Sequence, residues 1–186
     1  MQKAKAAFDA FLLSRPPILK DIAAMEKDAF CKMMENAYDM DPKNKVLASE
    51  VNQSFRHRSG VLLSGIPDRV EQTATGDYII ADYKTGKRIS HTPNDIDSCL
   101  QVVIYAYLSE QRGIPITRCE YRYLRHGSTV PCRYDTAMKE ALNAKLSHFK
   151  NALDTGEFPP ANNKNNCTYC TLAGICSRKS QEKEAG

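Results

Sequence analysis

The chain has 186 residues, 42% hydrophobic and 26% charged, an ordinary balance for a globular protein long enough to bury a real core. Its 26 Lys and Arg against 22 Asp and Glu leave a net charge of +4, which permits nucleic-acid binding without arguing for it. No leader-like pattern and no run approaching about eighteen apolar residues occurs, so secretion and membrane spanning are disfavoured and a cytoplasmic location is expected.

Residues 3 to 14 are rich in helix formers and predict a short helix, interrupted by Pro16-Pro17, a pair that also suits the first turn of a new one. From Ile18 to Tyr38 the apolar residues Ile22, Met25, Ala29, Met33 and Ala37 recur at helical spacing, the mark of an amphipathic helix packed on a sheet. Cys31 lies one position from that stripe and reads as a half-buried structural cysteine. After a turn at Asp41-Pro42-Lys43-Asn44, Val46 to Phe55 predicts a strand. Arg56-His57-Arg58-Ser59-Gly60 then reads as a solvated basic turn.

Two segments follow that carry chemistry. Val61 to Val70 is an apolar run ending in an acid, Tyr78 to Lys84 is rich in β-branched and aromatic residues, and Thr75-Gly76-Asp77 between them is a turn signal. A hairpin is the simplest arrangement. Side chains alternate along a strand, so Asp82 and Lys84 share a face and Tyr83 takes the other; with Asp68 opposite, three polar groups converge. Two carboxylates can hold a hard divalent cation, with Lys84 in reach of a scissile phosphate, the parts of a phosphodiester hydrolase. The bland alternative is a strand-edge ion pair. Thr85-Gly86-Lys87 invites comparison with a phosphate-binding P-loop, but Ala81 and Arg88 stand where that motif needs glycine and a hydroxyl. Lys87 and Arg88 are expected to contact substrate phosphates instead.

Thr92-Pro93-Asn94-Asp95 carries helix-start chemistry, and Ile96 to Gln111 is the strongest helical segment, with Gln101 and Tyr105 on one face and Cys99 buried. Gly113 and Pro115 end it. Thr117 to His126 alternates Arg118, Glu120 and Arg122 with Cys119, Tyr121 and Tyr123, a half-buried strand whose charged face is expected to be solvated. Asp135 to Leu153 predicts a second amphipathic helix through Met138, Leu142, Leu146, Phe149 and Leu153. Seven cysteines in a cytoplasmic chain are expected to be reduced, metal-bound or buried rather than disulfide-paired, and Cys119 and Cys132 read as structural. Cys167, Cys170 and Cys176 have a spacing suited to soft metals, iron in a cluster or zinc, although three thiolates leave a four-site cluster one ligand short. A cysteine missing from the N-terminus, Cys31, or nothing would complete it. The expected organisation is N-terminal helices over 1–44, a core with its following helix over 45–155, and a Cys-rich tail over 156–186.

Gly65-x-x-Asp68-Arg69, then Asp82-Tyr83-Lys84-Thr85-Gly86, then Gln101-x-x-x-Tyr105 resembles the RecB-type branch of the PD-(D/E)XK nuclease superfamily. The cysteine motif is similar to the iron-sulphur staple of its AddB-like and CRISPR-associated members, and order and spacing agree over residues 60 to 177. The resemblance implies an α/β fold, an αβββαβ restriction-endonuclease-like core with a central mixed sheet flanked by helices. It implies Mg²⁺ or Mn²⁺ held by Asp68, Asp82 and the Tyr83 carbonyl, Lys84, Gln101 and Tyr105 as further catalytic residues, and Glu50 as an accessory acid. It also implies a 4Fe-4S cluster in the intact protein. The implied activity is DNA hydrolysis, as an exonuclease in repair or recombination, often with a helicase domain or subunit as partner. Two departures stand out: residues 1 to 56 contain no histidine, where the family places a metal ligand, and its first cluster cysteine is missing. The chain therefore reads as the C-terminal part of a larger nuclease or as a degenerated member, the alternative being a non-catalytic nucleic-acid-binding or assembly module.

Overall fold

The protein is described by a computed structural model covering residues 6, 9–10, 16–40, 43–159, 170–172 and 175–176. It divides into two compact units, Met1–Leu146 and Ser147–Gly186. Most of the predicted helix over 3 to 14 lies outside the described residues. Helix α1 is Pro17–Asp39, with proline in its first turn, where a missing N–H costs nothing. Strands β1 (Lys45–Ala48), β2 (Gln53–Arg56), β3 (Leu62–Gly65), β4 (Arg69–Gln72) and β5 (Tyr78–Lys84) follow. Helix α2 (Ile96–Glu110), strands β6 (Ile116–Tyr123) and β7 (Ser128–Arg133), and helix α3 (Thr136–Thr155) complete the order.

The main sheet is mixed, in the order β1-β4-β5-β6-β7, and β2 and β3 form a separate pair. Among the described strands only β5 and β6 run parallel, and α2 provides the crossover that a parallel pair requires. The series α1, β1, β4, β5, α2, β6 is the αβββαβ core; the β2–β3 pair is inserted within it and β7 added at its edge.

Each of the two long predicted strands breaks in the middle. Val46 to Phe55 becomes β1 and β2, and Val61 to Val70 becomes β3 and β4, so the four short strands are one long hairpin bent across a common line. Pro67 has no N–H to give a ladder and keeps its predecessor extended, which interrupts one side. Glu50, at φ 52, interrupts the other. Two hydrogen bonds span the bend, from Glu50 N–H to the Pro67 carbonyl at 3.1 Å and from Ser49 Oγ to the Asp68 carbonyl at 3.0 Å. The β4–β5 hairpin is as expected, with Val70 opposite Ile80. Its turn is closed by Asp77 N–H on Thr73 Oγ1 and by Gly76 at φ 92, a conformation costly for other residues.

The core lies between one sheet face and α2. Val70, Ile80, Cys119 and Tyr121 meet Cys99, Val102, Val103 and Ala106, and Met138, Leu142 and Leu146 of α3 join them. Phe149 and Leu153, predicted on the same stripe, stay half exposed. Asp95 caps α2 by accepting from Ser98 N–H at 2.9 Å. Cys99 and Cys132 are joined as a disulfide, which corrects the expectation that the cysteines would be unpaired. The start of α2 passes over β7 here, bringing two buried thiols together. Sequence spacing cannot show this.

The opposite sheet face also departs from expectation. Alternation puts Arg122 on a face expected to be solvated, yet its side chain is 2% exposed and Glu71 is fully buried. Arg122 donates from both terminal nitrogens to the two Glu71 oxygens, at 2.8 and 2.9 Å, and from Nε to Glu120. Asn44 adds a hydrogen bond to Glu71 at 2.9 Å, and Arg69 lies 2.6 Å from it. Pairing makes burial of these charges tolerable; a two-residue alternation cannot show which face is covered.

Burial alone would raise the Glu71 carboxyl, but hydrogen bonds from Arg122 and Asn44 and the charges of Arg122 and Arg69 outweigh it and hold it low. A lowered folded pKa contributes stability that is full above the ordinary glutamate value and is lost as pH falls through the lowered one. The melting temperature should therefore drop steeply below about pH 4. Glu71→Gln should lose about 3 to 5 kcal/mol at neutral pH and show a flatter acid limb, both measurable by thermal melts from pH 7 to 3.

Candidate functional site

The bend in the long hairpin sets Asp68 at the start of β4, facing the end of β5. Tyr83 N–H donates to Asp68 Oδ2 at 2.7 Å, while Ser49 holds the Asp68 carbonyl from the other side of the bend. The acid is thus fixed at both its backbone and its side chain.

Asp82 and Lys84 point from β5 to the α2 face, as alternation requires. Asp82 is 3% exposed, and its Oδ2 lies 2.6 Å from Lys84 Nζ. Burial raises the Asp82 carboxyl above its ordinary range, Lys84 pulls it down by hydrogen bond and charge, and Asp68 pushes it up. The net shift is upward. Asp68 is therefore near enough for its charge to be felt.

Lys84 Nζ also donates to Gln101 Oε1 at 2.8 Å, and Gln101 Nε2 donates to the Tyr105 hydroxyl at 2.9 Å. The structure thus brings together Asp68, Asp82, Lys84, Gln101 and Tyr105. Gln101 is exposed, so the relay opens to solvent. Tyr105 packs against Gly65, where a Cβ would sit 2.5 Å from Tyr105 Cε1. Gly65 provides the room for that ring.

Three other candidate residues fall outside this cluster of contacts. Glu50 is exposed and meets the bend through its backbone, its N–H donating to the Pro67 carbonyl. Lys87 and Arg88 are exposed on the loop after β5. That loop is pinned at its start by Leu124 N–H on the Lys84 carbonyl and by Arg125 Nε on the Thr85 carbonyl, both at 2.9 Å. Further along it, His91 stacks on Tyr121 with ring centroids 3.6 Å apart, and its Nδ1 hydrogen-bonds the Tyr123 hydroxyl. Burial and then the Lys84 charge push the His91 pKa down. Sequence reasoning missed His91, although it is seven residues beyond Lys84 on the same loop.

His57, expected in a solvated turn, is 3% exposed and held between Ser59 and Asn143 Oδ1 at 2.9 and 2.8 Å. It faces Tyr107 edge-on and staples the hairpin tip to α3 within the first unit. Cys31 is half-buried and unpaired in α1. Of the three cysteines spaced for a cluster, Cys170 is exposed and Cys176 half-buried, both unpaired, and Cys167 lies outside the described residues.

Among the described residues no three His, Cys, Asp or Glu side chains gather as a metal site. A hard cation such as Mg²⁺ does not need three. It retains several waters and is bound by one or two carboxylates plus substrate oxygens. The donor set here is all oxygen, and Lys84 only partly offsets the burial of the Asp82 carboxylate, so Asp68 and Asp82 fit such an ion.

The PD-(D/E)XK nuclease superfamily pattern matches residues 2–177. The chain is 32% identical over 133 residues to a CRISPR-associated exonuclease Cas4/endonuclease Cas1 fusion of Leptospira interrogans serogroup Icterohaemorrhagiae serovar Lai (strain 56601). The match covers 67% of this chain and 24% of that protein, so the chain spans about a quarter of the relative's length. The crystal structure of SSO0001 superposes on 77% of this chain and 65% of its own, at 15% identity and a TM-score of 0.48.

Proposed function

We propose that this chain, which belongs to the PD-(D/E)XK nuclease superfamily, is a divalent-metal-dependent DNA nuclease of the RecB type, acting as an exonuclease on DNA ends. One observation carries the reading. The buried Asp82 carboxylate is ion-paired to Lys84 at 2.6 Å, and Asp68 is fixed across the hairpin on the N–H of Tyr83, the residue between them, at 2.7 Å.

In this reading Asp68, Asp82 and the Tyr83 carbonyl hold the cation. When bound, Mg²⁺ or Mn²⁺ supplies Lewis acidity at the phosphoryl oxygen and a more acidic water. The protein's own groups do the rest. Lys84 places a positive charge where negative charge grows on the phosphate, and its pairing with Asp82 and Gln101 holds it there before substrate arrives. Gln101 orients Lys84, Tyr105 orients Gln101, and the exposed amide is open to a substrate strand. A 4Fe-4S cluster, in this reading, rests on the spacing of Cys167, Cys170 and Cys176 alone, with no fourth ligand assigned. The exonuclease part of the relative's name supports nuclease activity; DNA as substrate and a helicase domain or subunit as partner rest on the RecB resemblance only.

The test uses end-labelled single- and double-stranded DNA with Mg²⁺, Mn²⁺ or chelator. Nucleotide release that needs the cation is the expected result. Binding without cleavage in either metal would overturn it in favour of a non-catalytic module.

Lys87 and Arg88 in this reading neutralise substrate phosphates without reading sequence. The double substitution Lys87→Ala/Arg88→Ala should weaken binding to single-stranded oligonucleotides of any sequence. It should also reduce the slope of log affinity against log salt by about 1.4, at ~0.7 per contact. Fluorescence anisotropy from 50 to 200 mM salt would measure both.

A further inference from the structure

Glu71, Arg122, Arg69 and Tyr83 form a polar network on the sheet face opposite Asp82 and Lys84, and the reaction as described does not use it. Tyr83 lies between those two residues on β5, with its ring turned to the far side. Its hydroxyl accepts from Arg69 Nη1 at 3.1 Å and more weakly from Arg122 Nη1 at 3.5 Å. Arg122 is itself locked by both Glu71 oxygens and by Glu120, and its guanidinium lies 5.8 Å from the Tyr83 ring centre.

Stability does not explain this arrangement. Replacing a buried ion pair by apolar residues of similar volume is often neutral or stabilising, so a fully buried Glu71–Arg122 pair calls for another reason. The reason lies in the Tyr83 backbone. Its N–H donates to Asp68 Oδ2 at 2.7 Å, and its carbonyl belongs to the same residue. A side chain anchored on the far face limits rotation of the strand at this residue, and so limits where Asp68 and that carbonyl can point.

We infer that Arg122, Arg69 and Glu71 are positioning residues, which grip the Tyr83 side chain from behind the sheet and thereby hold Asp68 and the Tyr83 carbonyl toward one cation. The inference rests on the nuclease reading, because the cation does. It makes the network act on metal affinity before any substrate is present.

Manganese binding to the DNA-free chain, followed by the loss of the free Mn²⁺ electron paramagnetic signal, tests this. Tyr83→Phe removes only the gripped hydroxyl and keeps the ring. Arg122→Lys keeps the charge facing Glu71 but loses the two-pronged hold. Both are expected to raise the Mn²⁺ dissociation constant about tenfold, as loss of a partner behind a metal ligand commonly does. Cleavage should then recover toward the wild-type maximum at saturating Mn²⁺, a split that loss of folded protein would not give. In metal-free protein the Tyr83 amide proton should exchange faster in Tyr83→Phe. Should Arg122→Lys fail to fold, Tyr83→Phe decides alone. Equal Mn²⁺ affinity in wild type and Tyr83→Phe overturns the inference and leaves the nuclease reading standing. A wild-type chain that binds no Mn²⁺ overturns that reading, and the inference falls with it.

Discussion

Asp82→Ala should lower metal-dependent DNA cleavage by about 10³-fold or more while leaving the melting temperature unchanged or slightly raised. The first half follows from position: Asp82 is the buried member of the acid pair proposed to hold the cation. Losing one well-placed electrostatic group commonly costs about 10² to 10³ in rate, and losing a metal ligand should cost at least as much. The second half follows from energetics. Burial and the Asp68 charge both work against ionised Asp82, with Lys84 only partly offsetting them, so the folded protein holds this carboxylate under strain. Removing it relieves that strain, the usual sign of a residue kept for activity at the expense of stability. Lys84 keeps Gln101 as a partner and is partly solvated, so it is not stranded. Initial rates on labelled DNA with Mn²⁺ and a thermal melt would decide. Activity within tenfold of wild type would refute the assignment.

The part of the site legible in the sequence is the part governed by short-range periodicity. Two-residue alternation places Asp82 and Lys84 on one face, and a four-residue helical step places Gln101 and Tyr105 together; both hold because β5 and α2 are regular where these residues stand. The apolar run from Val61 to Val70 reads as one strand carrying Asp68 near its end, whereas Asp68 stands at a bend. The difference arises because Pro67 and the left-handed Glu50 interrupt opposite strands at the same level, a coincidence visible only once the pairing is known. Arg122 shows a second limit. Alternation separates charged from apolar residues, but which face is buried depends on what the rest of the chain lays over it. Strand β7 carries Pro131, a residue that argues against a central strand and suits the sheet edge where β7 lies. The Cys99–Cys132 contact and the His91–Tyr121 stack join elements far apart in the chain, and no local pattern encodes either.

Gly65→Ala should lower the cleavage rate about 10²-fold through residues it does not touch in sequence. The glycine does not occupy a positive-φ conformation, so alanine suits the backbone and the effect is steric. An added Cβ would stand 2.5 Å from Tyr105 Cε1 and 2.8 Å from Cδ1, far inside contact distance, with Leu108 Cδ1 at 3.5 Å also close. The ring must move. Its hydroxyl accepts from Gln101, whose carbonyl oxygen accepts from Lys84, so displacement of Tyr105 loosens one of the groups that aim Lys84. Misplacement of about 1 Å in a positioned group can cost about 10²-fold in rate. Overpacking should also cost about 1 to 3 kcal/mol of stability, so the rate must be compared at a temperature where both proteins are folded. Gln101→Ala separates relay from general damage, because it cuts the same chain one link later without crowding Gly65. If the relay is real, Gly65→Ala and Gln101→Ala should each lower kcat, and the double variant should be little worse than the poorer single one. Multiplicative losses in the double variant would show that Gly65 acts by another route.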